Sequence, residues 1–251
     1  LALKTLGIKY IRVKKIPNIL FFSTGNEISN KDKIQNWKVR NSNLHYIKSA
    51  SQNFLYNFHN GGILRDKDEY KFEKKIKNFI KSKNDIIITS GAVSAGKFDF
   101  VPGIIKKFRL SAYFKSIAIR PGKPVLFAKI KGKQKVIFGL PGNPISSVAC
   151  LRFFVYPYLE ESLEVEKEKS FKAVLKNNYS KNANFTIFLR SRINTTKNGK
   201  LEVEIFNNQE SFRIKPFVKS NVWTVLPSGK AVFKKNEIVD CFFPNQPNKI
   251  F

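Results

Sequence analysis

Residues 85–99 read D-I-I-I-T-S-G-A-V-S-A-G-K-F-D, and the architecture of the chain can be inferred from them. From Asp85 to Ser90 the stretch holds consecutive apolar and β-branched side chains, the pattern of a parallel strand covered on both faces. Beyond Ser90 the residues are mostly small, hydroxylated or glycine. Such a loop lets successive backbone N–H groups face an anion, and a helix starting behind it adds its own positive end.

On either side, the same alternation of short apolar runs and helical periodicity recurs. NILFFS at residues 18–23 reads as another buried strand. Leu44, Ile47, Ala50, Phe54, Leu55 and Phe58 recur at helical spacing over residues 43–58, and Gly61-Gly62 is expected to stop that helix. Ile63 and Leu64 open a short apolar run that ends at Arg65-Asp66, and Phe72, Ile76, Phe79 and Ile80 mark a helix over 70–80. Downstream, strands are expected at 116–119, 124–128 and 136–138, then a helix over 144–159 introduced by Asn143-Pro144. The pattern predicts an α/β fold: a three-layer, mostly parallel sheet with helices on both faces. Its ligands belong beyond the carboxyl ends of the strands.

The texture changes after EESLEVEKEKS at residues 160–170, which carries dense charge. Short strand-like pieces at 171–175, 185–193, 201–206, 222–226 and 237–243 are separated by turns such as Asn198-Gly199 and Ser228-Gly229. The expected division is an α/β domain over residues 18–163 and a small mainly-β domain over 164–251.

Three strand-end segments could carry chemistry. The first offers Thr24 and Gly25, with Glu27 presenting a carboxylate at the sheet edge. The second offers Ser90, Gly91, Ser94 and Gly96, with Lys97 as a point charge. Phe98 comes after Lys97, so this is no P-loop, and it lacks the dinucleotide GxGxxG pattern. The third offers Pro141, Gly142 and Asn143, where Asn143 is a good N-cap and Pro144 suits the first helical position. Gly142 would serve either an unusual backbone angle or a closely approaching ligand. Between the second and third, Arg120-Pro121-Gly122-Lys123 is a proline-stiffened basic loop suited to phosphate or carboxylate groups. Glu27, Asp66 and Asp99 all come after strands or sit in strand-edge loops, so one cleft could gather them around Mg2+. His45 and His59, on or just after the first long helix, do not join them.

Bulk properties narrow the classes. With 46 Lys and Arg against 18 Asp and Glu, the 251-residue chain carries a formal charge of +28. The basic residues are spread along the whole chain and mixed with Asn, Ile and Phe, which argues against a specific nucleic-acid interface. Cys150 and Cys241 form no metal-ligand spacing, so a reducing cytoplasm is the default location. No apolar run reaches transmembrane length.

Five pieces together resemble the molybdopterin molybdenumtransferase family, of the MoeA and gephyrin E-domain type. They are FFSTGNEIS at 21–29, GGILRD at 61–66, DIIITSGAVSAGKFDF at 85–100, IRPGKPVLF at 119–127 and GLPGNPISSV at 139–148. The resemblance implies an enzyme that inserts molybdate into adenylylated molybdopterin, releases AMP and depends on Mg2+. It implies that Ser94 and its small-residue loop face the ligand, that Gly142 and Asn143 help build its cleft, and that Arg120 and Lys123 are basic contacts. Glu27, Asp66 and Asp99 would organise the cation or the departing adenylate. It further implies two preceding domains, with residues 1–17 as their exit, a homodimer in the complete protein, and a molybdopterin adenylyltransferase as upstream partner. Departures from the family pattern are Asn26 where an aspartate is common, Ala92 and Ala95 in the second segment, and Ser220-Asn221-Val222 in place of an Ala-Asn-Gly turn. The adenylyltransferase branch, a noncatalytic scaffold and a basic nucleic-acid-binding module are the competing readings.

Overall fold

A computed structural model of the chain describes residues 1–52, 56–93 and 100–244. Strands β1 (Asn18–Thr24), β2 (Asn57–Leu64), β3 (Ile86–Ser90), β4 (Leu110–Lys115), β5 (Leu126–Ile130) and β6 (Val136–Leu140) form a six-stranded sheet. Their order is β2-β1-β3-β6-β5-β4. The first four are parallel, and β5 runs against both of its neighbours.

Period-two alternation splits each central strand between two cores. Ile86 and Ile88 of β3 face one side together with Val136 and Phe138 of β6. Helix α1 (Ser42–Ala50) covers that side with the long helix beginning at Pro144. Ile87 and Ile137 face the other side, beneath α2 (Glu69–Lys81) and α3 (Phe100–Lys106). The mostly parallel three-layer arrangement is therefore as expected, because strands apolar on both faces must be covered on both.

The helix expected over 43–58 is corrected. It ends at Ala50, and residues 57–64 are the edge strand β2, parallel to β1. Gly61-Gly62 lies inside that strand, where the register slips by one residue opposite Phe21/Phe22. A Cβ on Gly61 would sit 2.2 Å from Cε1 of Phe22, so the glycine permits close ring packing and does not stop a helix. The strand expected at 116–119 is displaced to β4, and Ile119–Arg120 instead pairs with Thr186 and Ile187.

The long helix is Pro144–Cys150, a π segment Leu151–Val155, and Tyr156–Leu163, longer than expected. Beyond it, β7 (Phe171–Leu175), β8 (Thr186–Thr195), β9 (Leu201–Ile205), β10 (Val222–Leu226) and β11 (Ile238–Phe242) take the order β9-β7-β11-β10-β8. Strand β9 also pairs with β8, which closes them into a barrel around Leu189, Val203 and Leu226. Phe153 of the π segment stacks on Phe188 at 4.1 Å between ring centres. Most of the charged stretch at 160–170 is exposed, as its composition suggests, but it makes a buried contact with the helix. Glu160 and Arg152 are buried, and Arg152 pairs with Glu168 and donates to the Phe243 carbonyl at 2.9 Å.

Candidate functional site

The carboxyl ends of β1, β3 and β6 are adjacent in the sheet, so the three glycine-bearing loops that leave them open onto one cleft of about 910 Å3. Thr24, Gly25 and Glu27 line it from the first loop, Ser90 and Gly91 from the second, and Pro141, Gly142 and Asn143 from the third. Asp66, at the end of β2, lines it as well.

Close packing explains the small residues. Gly91 has φ +97°, and a Cβ there would lie 2.6 Å from Oγ1 and 2.9 Å from the carbonyl oxygen of Thr24. Thr24 Oγ1 in turn donates to the Ser90 carbonyl at 3.0 Å, and the Gly91 N–H donates to the Leu140 carbonyl at 2.8 Å. Gly25 has φ +130°, with the Glu27 carboxylate folded back over its Cα. Gly142 is different. Its φ lies outside the left-handed range, and an added Cβ would meet only the Gly91 Cα at 3.6 Å. Of its two expected uses, the unusual backbone angle is removed and the room it leaves faces the cleft.

Side chains outside the expected set hold the loops together. Asn43 donates from Nδ2 to Ser90 Oγ at 2.6 Å and to the Gly142 carbonyl at 2.8 Å, tying the second loop to the third. Buried Asn41 caps α1 at the Leu44 N–H and accepts from Ser23 Oγ at 2.8 Å. Arg65 donates from Nη1 to the carbonyls of Gly25, Asn26 and Ile28 at 2.8–3.1 Å, and so sets the path of the Glu27 loop. The Asn41-Ser42 pair just before Leu44 is an N-cap signature that would have brought Asn43 into view. Arg65 left no such signal, since its role rests on accepting carbonyls brought near by β1–β2 pairing.

Asn143 occupies the N-cap position and Pro144 the first turn, as expected, but the Asn143 side chain makes no cap hydrogen bond. It donates instead to Ser211 Oγ at 3.0 Å, in the segment between β9 and β10, and Ile214 from the same segment lines the cleft. Fully buried Arg190 of β8 anchors this segment through Gln209 and the carbonyls of Glu210 and Arg213.

Arg120, Gly122 and Lys123 are not among the residues lining the cleft, to which their loop contributes Pro124. The Arg120 guanidinium lies over the Phe185 ring at 4.3 Å, held there by the pairing of residues 119–120 with β8. Gly122 packs under the long helix, where a Cβ would meet Cys150 Sγ at 2.6 Å. Ser94, Gly96, Lys97 and Asp99 lie outside the described residues.

Glu27 and Asp66 both line the cleft, and Asp66 Oδ2 accepts from Asn26 Nδ2 at 2.7 Å. Among the described residues no group of three or more His, Cys, Asp or Glu could hold a metal ion. That donor set fits Mg2+ bound through one or two carboxylates with its remaining ligands from substrate oxygens, and not an all-protein cage. Both cysteines are buried and lie away from the cleft. Burial pushes the Cys150 thiol far up and the Cys241 thiol up to about 11, so neither supplies a thiolate near neutral pH. His59 is exposed, beside Asn18 Oδ1 on the edge strand. Among the described residues, no helix is long and apolar enough to cross a membrane.

Residues 21–161 match the family described as "Probable molybdopterin binding domain", and residues 172–242 match the "MoeA C-terminal region (domain IV)". A molybdopterin molybdenumtransferase of Staphylococcus aureus (strain COL) is 31% identical over 244 residues, covering 95% of this chain and 57% of the relative. A protein of the same description from Staphylococcus epidermidis (strain ATCC 12228 / FDA PCI 1200) is 30% identical over 242 residues, with the same coverage. The chain thus spans a little over half the length of these curated relatives. The fold is shared with a crystal structure of the molybdopterin biosynthesis MoeA protein of Pyrococcus horikoshii, with a TM-score of 0.75 at 22% identity over 97% of this chain and 58% of that one. The chain belongs to the molybdopterin-binding family of molybdenum cofactor biosynthesis, joined to a MoeA-type C-terminal region.

Proposed function

We propose that the chain is the ligand-binding and metal-inserting part of a molybdopterin molybdenumtransferase, which takes adenylylated molybdopterin and molybdate and yields molybdenum cofactor and AMP. The observation that carries this reading is the meeting of three strand-end loops, the second and third tied together by Asn43, on a cleft that also holds Glu27 and Asp66. The relatives' descriptions and the MoeA-type C-terminal region support this branch over the adenylyltransferase branch.

On this reading the small-residue walls let a flat pterin and its phosphates approach the backbone closely, and Asn43 keeps the second and third loops at fixed spacing around it. Glu27 and Asp66 hold Mg2+, with Asp99 as a third carboxylate. The cation supplies charge neutralisation and Lewis acidity for cleavage of the phosphoanhydride. Asn26 fixes the rotamer of Asp66, and Arg65 fixes the loop that carries Glu27. Neither cysteine takes part, and no covalent enzyme intermediate is needed. In the complete protein the chain works as a homodimer in the cytoplasm, with an adenylyltransferase supplying its substrate.

The test is molybdate-dependent release of AMP from adenylylated molybdopterin, measured for this chain and for a version extended to the full length of its relatives. Release by the extended version alone supports a site completed by additional chain. Release by neither, with folding verified, refutes the transferase reading.

A further inference from the structure

Of the basic residues expected at the ligand, Arg120 and Lys123 do not line the cleft and Lys97 lies outside the described residues, so among the described residues another group is needed to meet its negative charge. Among the described residues lining the cleft, Arg40 is the one cationic side chain. We propose that Arg40 is a phosphoryl-binding residue of this cleft and helps set its preference for phosphate-bearing ligands, an inference that rests on the function proposed above.

Three observations lead there. First, Arg40 is placed by structure on both sides of it: the short strand Val39–Arg40 pairs with Ile28–Ser29, and Asn41 next to it caps α1. Its backbone is thus anchored to the loop that carries Glu27. Second, the guanidinium is held without being neutralised. Nη2 donates to the Asp32 carbonyl at 3.1 Å, and among the described residues the remaining N–H groups have no protein acceptor and Arg40 enters no ion pair. A guanidinium tethered at one corner keeps the planar donor pair that suits two oxygens of a phosphoryl group. Third, Ser42 and Asn43 continue from it into the cleft wall. Their N–H groups belong to the first helical turn, which has no intrahelical acceptors, and Asn41 caps only Leu44. Arg40 therefore stands beside further donors of the same sign, while the carboxylates of Glu27 and Asp66 serve the cation.

The test titrates the wild-type chain, Arg40→Ala and Arg40→Lys with adenylylated molybdopterin, pyrophosphate, AMP and adenosine. Calorimetry is the readout, with the fluorescence of exposed Trp37, three residues from Arg40, as a second. A charge-assisted hydrogen bond to phosphate predicts that Arg40→Ala binds pyrophosphate, AMP and adenylylated molybdopterin about 10- to 100-fold more weakly. Adenosine, which has no phosphate, should be unaffected, and Arg40→Lys should lie between. Because Arg40 is exposed, the melting temperature should not move. Equal affinity of wild type and Arg40→Ala for all three phosphate-bearing ligands overturns the assignment while leaving the proposed function standing. Failure of the wild-type chain and its full-length version to bind adenylylated molybdopterin overturns both.

Discussion

Replacing Asn26 by aspartate should make the stability of this protein depend on a divalent cation. In the structure, Asn26 Nδ2 donates to Asp66 Oδ2 at 2.7 Å, and Asn26 Oδ1 accepts from the Asp66 N–H at 3.3 Å. Asn26→Asp converts the first contact into two facing carboxylate oxygens. A hydrogen bond to a charged group contributes roughly 1.5–3 kcal/mol. Two like charges relaxed to about 4 Å repel by about 1 kcal/mol in a water-like medium. Asn26 is exposed and Asp66 half-buried, so the lower figures apply and the combined cost is about 2.5 kcal/mol. At about 2–4 °C per kcal/mol for a chain of this size, the metal-free variant should melt about 5–10 °C below wild type. Mg2+ inverts the balance, because it binds between the oxygens that repel. At about a hundred times its dissociation constant it would restore about 2.7 kcal/mol. The assay is thermal unfolding of both proteins in EDTA and across a Mg2+ series. A variant as stable as wild type in EDTA would refute the electrostatic reasoning. An equal Mg2+ response in both proteins would refute the placement of the cation at Asp66.

The same geometry sets other outcomes. Gly91→Ala should cost about 1–3 kcal/mol from strain at positive φ and collision with Thr24, seen as a lower melting temperature. Gly142→Ala meets only the Gly91 Cα at 3.6 Å, so it should leave stability unchanged and weaken adenylylated molybdopterin binding; a loss of stability with unchanged binding would reverse that assignment. Asp66→Asn in the full-length protein should lower Mg2+ affinity and AMP release at least tenfold, and near-wild-type release would remove Asp66 from the metal site. Ile87→Ala, at the centre of β3 and fully buried, should cost about 2–5 kcal/mol by denaturant unfolding. With both thiols raised by burial, alkylation by iodoacetamide at pH 8 should be slow in the native protein and fast after unfolding.

The fold was legible where each residue's burial is dictated by its strand. Ile86, Ile87 and Ile88 alternate between two cores, and only a sheet covered on both faces buries all three. The edge strand β2 was hidden because an edge has less to bury. Asn57, His59 and Asn60 are exposed and two glycines come next, so nothing in residues 57–62 reads as a strand, whereas Leu44, Ile47 and Ala50 set a helical rhythm that ran on past its end. The same asymmetry holds at the site. Gly25, Ser90, Gly91 and Gly142 stood out by residue type and loop position, and they do meet. Arg40, Asn43 and Arg65 did not, since an ordinary polar side chain acquires its task only when a distant carbonyl or hydroxyl is brought beside it. Arg120 is the converse, a conspicuous arginine whose neighbour β8, more than sixty residues on, draws it onto Phe185.

The helix that starts at the cleft holds the barrel at separated points along its length. At its start Asn143 reaches Ser211, and further along, in the π segment, Phe153 lies flat on Phe188. A rod fastened at both places cannot swivel about either. A rocking motion of the barrel that opened the cleft mouth would have to break the amide–hydroxyl link or slide the two rings apart. Two phenylalanines outside the cleft thus brace its wall together with the loops that form it.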